Sequence, residues 1–155
     1  MTIEDDIAFF ERVPTLNPLG RAALRILAIG AESRFVHAGE VLFSAGDAAD
    51  SAYVVQEGSF GLVPHRAEGE AQEVVAGPGA LIGELAMITP TKRLATATAL
   101  EPSTVIRISR GLFLKMLEGY PDTARKFRDA MAARTDQWTR EIENVRAGLE
   151  GKAGN

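Results

Sequence analysis

The chain has 155 residues and a mass of 16.6 kDa, the size of one ordinary domain with a short tail. Apolar residues make up 46% and charged residues 25%, so the composition excludes wholesale disorder, collagen and a disulfide scaffold. With 17 basic and 21 acidic side chains, the formal charge is −4. Proteins that wrap nucleic acid are normally basic, so we expect no nucleic-acid binding by this chain alone.

Cysteine is absent, which excludes disulfides, thiolate nucleophiles and cysteine-ligated metals. The histidines, His37 and His65, have no acidic partner at a metal-ligand spacing, so no metal site is predicted. The N-terminus opens with acidic residues, unlike a secretion signal, and the longest uncharged apolar stretch, 74–83, is too short to span a bilayer. We therefore expect a cytoplasmic protein without membrane insertion.

Residues 2–32 are predicted to be helical. A first short helix places three apolar residues on one face: Ile3, Ile7 and Phe10. After a turn-rich break, Asn17 is predicted to be the N-cap of a second helix, with Pro18 at its first position. The inward stripe of that helix is predicted to be Leu24, Leu27 and Ile29.

The sequence pattern changes over residues 33–108, where short apolar runs alternate with glycine-containing turns. About eight strands of this length indicate a mainly β fold with flanking helices, in the form of a sandwich, barrel or jelly roll. The segment 83–89, GELAMIT, breaks the pattern and is predicted to form one or two helical turns. A helix inserted between strands has no evident packing purpose, so this segment is the first candidate for function.

Residues 109–150 are predicted to return to helix, with Ser109 as N-cap and Pro121 separating two helices. The second helix carries one apolar seam, interrupted by Arg134: Phe127, Met131, Trp138, Ile142, Val145 and Leu149. This 127–149 seam either packs on the chain's own β-roll or forms a surface for a partner or a homodimer. Residues 1–150 are thus read as one domain, with 151–155 as a frayed tail.

The segment 79–98 holds the residue types that a phosphorylated ribose requires. Gly83 lets the backbone approach a ligand, and the helical turn after it points free N–H groups at the same place. Arg93 suits a bidentate grip on phosphate oxygens, and Glu84 suits a sugar hydroxyl. The alternative is that a common Gly-Glu dipeptide and a solvated surface arginine happen to lie close in sequence.

The same residues resemble the phosphate-binding cassette of the cyclic nucleotide-binding domain family, found in cyclic-AMP receptor transcription factors, kinase regulatory subunits and gated channels. The matching positions are Gly79, Ile82, Gly83, Glu84, Leu85, Ala86, Arg93, Ala95 and Thr96. The resemblance extends over about residues 7–150. It implies an eight-stranded β-roll with N-terminal helices and C-terminal hinge and lid helices.

The resemblance also implies roles for individual residues. Arg93 would hold the cyclic phosphate together with backbone amides of Gly83, Leu85 and Ala86, and Glu84 would bond the ribose 2′-hydroxyl. Trp138 would cap the base from the lid helix, or else pack in the seam.

Two positions depart from the family pattern. Leu94 stands where binding members usually have Ala, Ser or Thr, and Lys92 adds a positive charge where Pro is frequent. A leucine offers no hydroxyl to phosphate or guanine, and its bulk would narrow the pocket or occupy the place of the base. Among ligands, cyclic AMP is therefore expected first and cyclic GMP second, with Ala95 also in contact.

Three classes of function follow from these observations. The leading hypothesis is a regulatory sensor of cyclic nucleotide that signals by moving its C-terminal helices to a downstream partner or a homodimer. The alternative is a degenerate, non-binding β-roll that acts as a protein–protein interaction or dimerisation module. An enzyme is not expected, because neither a catalytic triad nor a thiol nor a metal motif is evident.

Overall fold

The computed structural model describes residues 2–64 and 73–129, which form a β-roll flanked by helices. The strands are, in chain order, β1 (Glu32–Val36), β2 (Val41–Phe43), β3 (Ala48–Ala49), β4 (Ser51–Glu57), β5 (Phe60–Pro64), β6 (Val74–Ala76), β7 (Leu81–Ile82), β8 (Thr91–Lys92), β9 (Ala95–Ala99) and β10 (Ser103–Ser109). Two antiparallel four-stranded sheets have the orders β1-β10-β4-β7 and β2-β9-β5-β6, and β3 pairs with β8 in a two-stranded ribbon. The predicted β-roll with flanking helices is confirmed, and the ribbon is an addition to it.

The helical elements are α1 (Ile3–Glu11), a 3-10 turn (Asn17–Leu19), α2 (Arg21–Gly30), a second 3-10 turn (Glu84–Met87) and α3 (Arg110–Gly119). A capping box closes the start of α1, where Thr2 and Asp5 each accept a hydrogen bond from the other's backbone N–H. Ser109 caps α3 as predicted, since its hydroxyl accepts a hydrogen bond from the backbone N–H of Leu112 (3.1 Å).

The predicted cap of the second helix is wrong. Asn17 instead opens the first 3-10 turn, and its side-chain amide donates a hydrogen bond to the Glu11 carbonyl (2.7 Å). Helix α2 begins after Gly20, whose φ of 87° favours glycine and redirects the chain at that point. Ile29 is 60% exposed and does not face the core, contrary to the sequence prediction. The buried residues of α2 are Ala23, Leu24, Leu27 and Ala28.

The apolar core has two parts. One lies between the helices and the first sheet, and the other lies between the two sheets. Met87 of the second 3-10 turn belongs to the first part, and Ile82, just before that turn, belongs to the second. The turn is therefore anchored at the junction of the two cores, although its own first residues face outward.

The last described residues, 121–129, are helical and return to the body of the domain. Phe127 is 2% exposed, and its ring centroid lies 4.8 Å from that of Phe113 in α3. The first residue of the predicted seam is therefore core. The remaining seam residues, Trp138 among them, lie outside the described residues, as does His65.

Candidate functional site

The second 3-10 turn, Glu84–Met87, is the helical insertion that the sequence predicts, and we call it the cassette turn. It follows Gly83, whose φ is 76°. A Cβ atom on Gly83 would lie 2.3 Å from Nη1 of Arg93, so only glycine admits the arginine at this distance. The first bond of the turn is donated by the Ala86 amide to the Gly83 carbonyl (3.1 Å). The amides of Glu84 and Leu85 come before that bond, at the N-terminal end of the turn.

The backbone of Arg93 is fixed by the turn that leads into the β3–β8 ribbon. Its N–H donates to the Asp47 carbonyl (2.8 Å), and its own carbonyl accepts from the Gly46 N–H (2.8 Å). Gly46 has a φ of 91°, which lets the turn close tightly against the loop after β8. Two backbone hydrogen bonds thus set the direction in which the Arg93 side chain leaves the chain.

The Arg93 side chain is 7% exposed and lies on an aromatic surface. Its guanidinium carbon is 4.3 Å from the ring centroid of Phe43 and 5.5 Å from that of Tyr53. These two rings are stacked across the two sheets, with centroids 5.9 Å apart. Nη2 donates to the hydroxyl of Ser51 at 3.3 Å, and Ser51 itself is fully buried. The cation therefore rests on cation–π contacts and one neutral hydrogen bond.

The other terminal nitrogen of Arg93 has no hydrogen-bond partner in the described part of the chain. Nη1 is buried and makes no hydrogen bond among the described residues, and none of the ion pairs formed there includes Arg93. Burial lowers the pKa of the Arg93 guanidinium, but an arginine still carries its charge at neutral pH. A buried charge without a direct ion-pair partner is costly, and an anion bound beside Arg93 would offset that cost.

Arg93 lines a pocket of about 450 Å³, within the usual range for small-molecule sites. The pocket is lined by Phe43, Ala49, Leu62, Leu81, Ile82, Gly83, Glu84, Leu85, Ala86, Thr91, Lys92, Arg93, Leu94 and Ala95. The structure thus brings together the seven described site residues that the sequence singled out. Leu94 is 81% exposed, so it forms the rim and leaves the interior open.

Glu84 stands between this pocket and a groove beside the N-terminal segment, and it lines both. One of its carboxylate oxygens accepts a hydrogen bond from the Thr15 hydroxyl at 3.5 Å. Glu84 is half-buried, and its carboxylate makes no hydrogen bond to Nη1 of Arg93. A carboxylate that lines the pocket suits a neutral hydroxyl group of a ligand rather than an anion.

Sequence reasoning missed Ser51, Phe43 and Tyr53, the three side chains that hold the guanidinium. They come from β2 and β4, far from Arg93 in sequence, and only the packing of one sheet on the other brings them together. Within the described residues, no group of three or more His, Asp or Glu side chains could hold a metal ion. No helix in the same part of the chain is long and apolar enough to cross a membrane.

An antiparallel β-roll with a pocket beside a helical insertion is the architecture of a ligand-binding regulatory domain. The cyclic nucleotide-binding domain model matches residues 33–120, and this chain belongs to that family. A cyclic nucleotide-binding-like protein from Brucella abortus is 40% identical and has a TM-score of 0.65, covering 74% of this chain and 98% of its own. The cAMP-bound regulatory domain of Toxoplasma gondii PKA, 20% identical, shares the fold with a TM-score of 0.73, over 87% of this chain and 50% of its own.

The family also occurs as one part of longer proteins. An NTE family protein of Mycobacterium bovis is 35% identical over 144 residues, which is 88% of this chain and 24% of the relative. Among the curated relatives compared, this chain spans between 7% and 31% of their length. The likeness therefore concerns the regulatory binding domain and not the remaining regions of those proteins.

Proposed function

We propose that this chain binds a purine 3′,5′-cyclic nucleotide, cyclic AMP in preference to cyclic GMP, in the pocket next to Arg93. The observation that carries the proposal is the buried guanidinium with an unpaired Nη1 and no carboxylate partner among the described residues. A cyclic phosphate carries a single negative charge and would supply the missing counter-charge. The amides at the start of the cassette turn would add donors to the same oxygens.

The remaining walls suit the rest of such a ligand. Glu84 lies at the mouth, where its carboxylate would exchange Thr15 for a ribose hydroxyl. Leu62, Leu85 and Leu94 offer an apolar surface to a base. Because Leu94 carries no hydroxyl, it gives no donor or acceptor to guanine, which supports the preference for adenine.

Signal output would run through the C-terminal helices. Helix α3 packs against segment 121–129 through Phe113 and Phe127, so the two helical elements are mechanically connected. We propose that residues 127–149, which the sequence predicts to be helical, pass the signal to a protein partner or to a second copy of the chain in the cytoplasm. Trp138 as a cap on the base is part of the same proposal.

Thermal unfolding of the pure protein with saturating cyclic AMP, cyclic GMP and cyclic di-GMP tests the proposal. A ligand at 100 times its dissociation constant stabilises the folded state by about 2.7 kcal/mol. For a domain of this size, this corresponds to a rise in the unfolding midpoint of roughly 5–10 °C. The rise is expected to be largest with cyclic AMP. No rise with any of the nucleotides would reject the sensor and favour the alternative of a non-binding interaction module.

A further inference from the structure

Helix α3 begins with a side chain that contacts two of the segments lining the pocket. Arg110 is its first residue, and one guanidinium nitrogen, Nη1, lies within hydrogen-bond distance of three backbone carbonyls. These carbonyls belong to Ala49 (3.1 Å), Ala86 (3.3 Å) and Thr89 (3.3 Å). In addition, the backbone N–H of Arg110 donates to the Asp50 carbonyl (2.8 Å). The start of α3 is therefore bonded to two other parts of the chain at once.

Two of the three carbonyls belong to the end of the cassette turn. Ala86 is inside the turn, and Thr89 follows it with its N–H bonded to the Leu85 carbonyl (3.2 Å). The last carbonyls of a helical segment have no partner within the segment, and a cation placed there is favourable. The guanidinium of Arg110 thus supplies a donor to the carbonyls at the C-terminal end of the cassette turn.

The third carbonyl belongs to the β3–β8 ribbon, which carries Arg93. Ala49 pairs with Thr91 in the ribbon, and the turn that precedes β3 holds Arg93, just after β8, with two backbone hydrogen bonds. Ala49, Thr91 and Ala86 all line the anion pocket. The cassette turn supplies its amides and the ribbon supplies its guanidinium, and Arg110 is bonded to both.

We propose that Arg110 is a positioning residue of the anion site, which fixes the spacing of the cassette turn and the ribbon and connects both to α3. This inference rests on the proposed function, since it deepens the account of how binding at that pocket is coupled to the C-terminal helices. Arg110 does not touch the ligand. When an anion draws the cassette turn and Arg93 together, Arg110 moves with their backbone and carries the first turn of α3.

The test uses the full chain and three variants. Arg110→Met keeps the aliphatic stem and removes every donor, and Arg110→Lys keeps the charge on a single point donor. Arg125→Met is the matched control, because Arg125 is a helical arginine, 73% exposed, whose one ion pair within residues 2–64 and 73–129 is with Asp122, three residues earlier. Hydrogen exchange by mass spectrometry and calorimetric titration with cyclic AMP and cyclic GMP are measured on each.

Without ligand, Arg110→Met is expected to speed amide exchange in the cassette turn, the ribbon and α3 together. With cyclic AMP, binding should weaken about tenfold, inside the usual range of coupling between sites, and the change in α3 exchange seen in the wild type should disappear. Arg110→Lys should restore part of both effects, and Arg125→Met should match the wild type.

Two results would overturn the inference. In one, Arg110→Met binds with wild-type affinity and keeps the α3 response. In the other, exchange rises in α3 alone, as for a purely local helix cap. If Arg110→Met does not fold, Arg110→Lys is judged by the same two criteria. If the wild type binds neither nucleotide, the proposed function has failed, while the unliganded exchange still decides whether Arg110 joins the turn, the ribbon and α3.

Discussion

Replacing Arg93 with methionine tests whether the buried guanidinium is the anion receptor. Methionine keeps a long unbranched stem against Phe43 and Tyr53 and removes the charge and all donors. In the wild type this side chain is 7% exposed and has one unpaired nitrogen. Truncating one partner of a buried, hydrogen-bonded charge pair costs roughly 2–5 kcal/mol. Since about 1.4 kcal/mol is a factor of ten, cyclic AMP should bind roughly 30- to 4,000-fold more weakly.

The same substitution is expected to leave the free energy of unfolding of the unliganded protein nearly unchanged. A buried donor without a partner costs about 1–3 kcal/mol, and the variant is relieved of that cost. The cation–π contacts that it loses contribute up to about 2 kcal/mol when desolvated. Because the two terms oppose each other, loss of binding should not be accompanied by loss of folding.

Lys92→Met is the control for Arg93→Met. Lys92 is the preceding residue, lines the same pocket and carries the same charge, but it is exposed. An exposed charge contributes about 0–1 kcal/mol, so binding should weaken by about fivefold at most. Calorimetric titration with cyclic AMP gives the affinities, and urea unfolding gives the stabilities. Equal losses in the two variants, or Arg93→Met binding within about threefold of the wild type, would refute the assignment of Arg93 as the receptor.

Two further predictions concern the surroundings of Arg93. Gly83→Ala should lower the free energy of unfolding in urea by about 1–2 kcal/mol, because Gly83 has a positive φ, and it should abolish the nucleotide-induced thermal shift. Gly77→Ala, which has open space around it, should do neither. Partial burial raises the pKa of Asp50, but the hydrogen bond with Ser51 and the charge of Arg107 outweigh it, and the net pKa is lowered. The ionised form is therefore favoured by folding, so Asp50→Asn should be less stable than the wild type at neutral pH. The difference in the free energy of unfolding should shrink as the pH falls below about 3.9, the ordinary pKa of aspartate. A difference that does not change with pH would contradict the lowered pKa of Asp50.

The sequence correctly predicted those parts of the fold that are marked by neighbouring residues in the chain. Ser109 is a cap that is recognisable beside its helix, and Ile7 and Phe10 are buried at the spacing that a helix requires. Asn17 carried an equally good local signal, yet Gly20 places the start of α2 later. The two-residue strands β3 and β8 are too short to show alternation, so the ribbon could not be predicted.

The candidate site likewise contains residues that the sequence identified and residues that it did not. Gly83, Glu84 and Arg93 lie within one short stretch, and their chemistry is readable from spacing and from the family resemblance. Ser51 and Arg110 act on the same site from distant strands and helices, and nothing in the neighbouring sequence marks them. The missing partner of Arg93 is a property of burial and packing, which no linear pattern records.

The contact between Phe113 and Phe127 sets a threshold for any motion of the C-terminal helices. Phe127 is 2% exposed, and fully exposing a side chain of this size costs about 1.5–3 kcal/mol. A state in which segment 121–129 has left the domain would then be populated in roughly 0.6–7% of resting molecules. A ligand or partner that prefers such a state by about 10- to 150-fold would bring it level with the packed one. The burial of Phe127 thus contributes a minimum binding preference that a ligand or partner must supply before the domain responds.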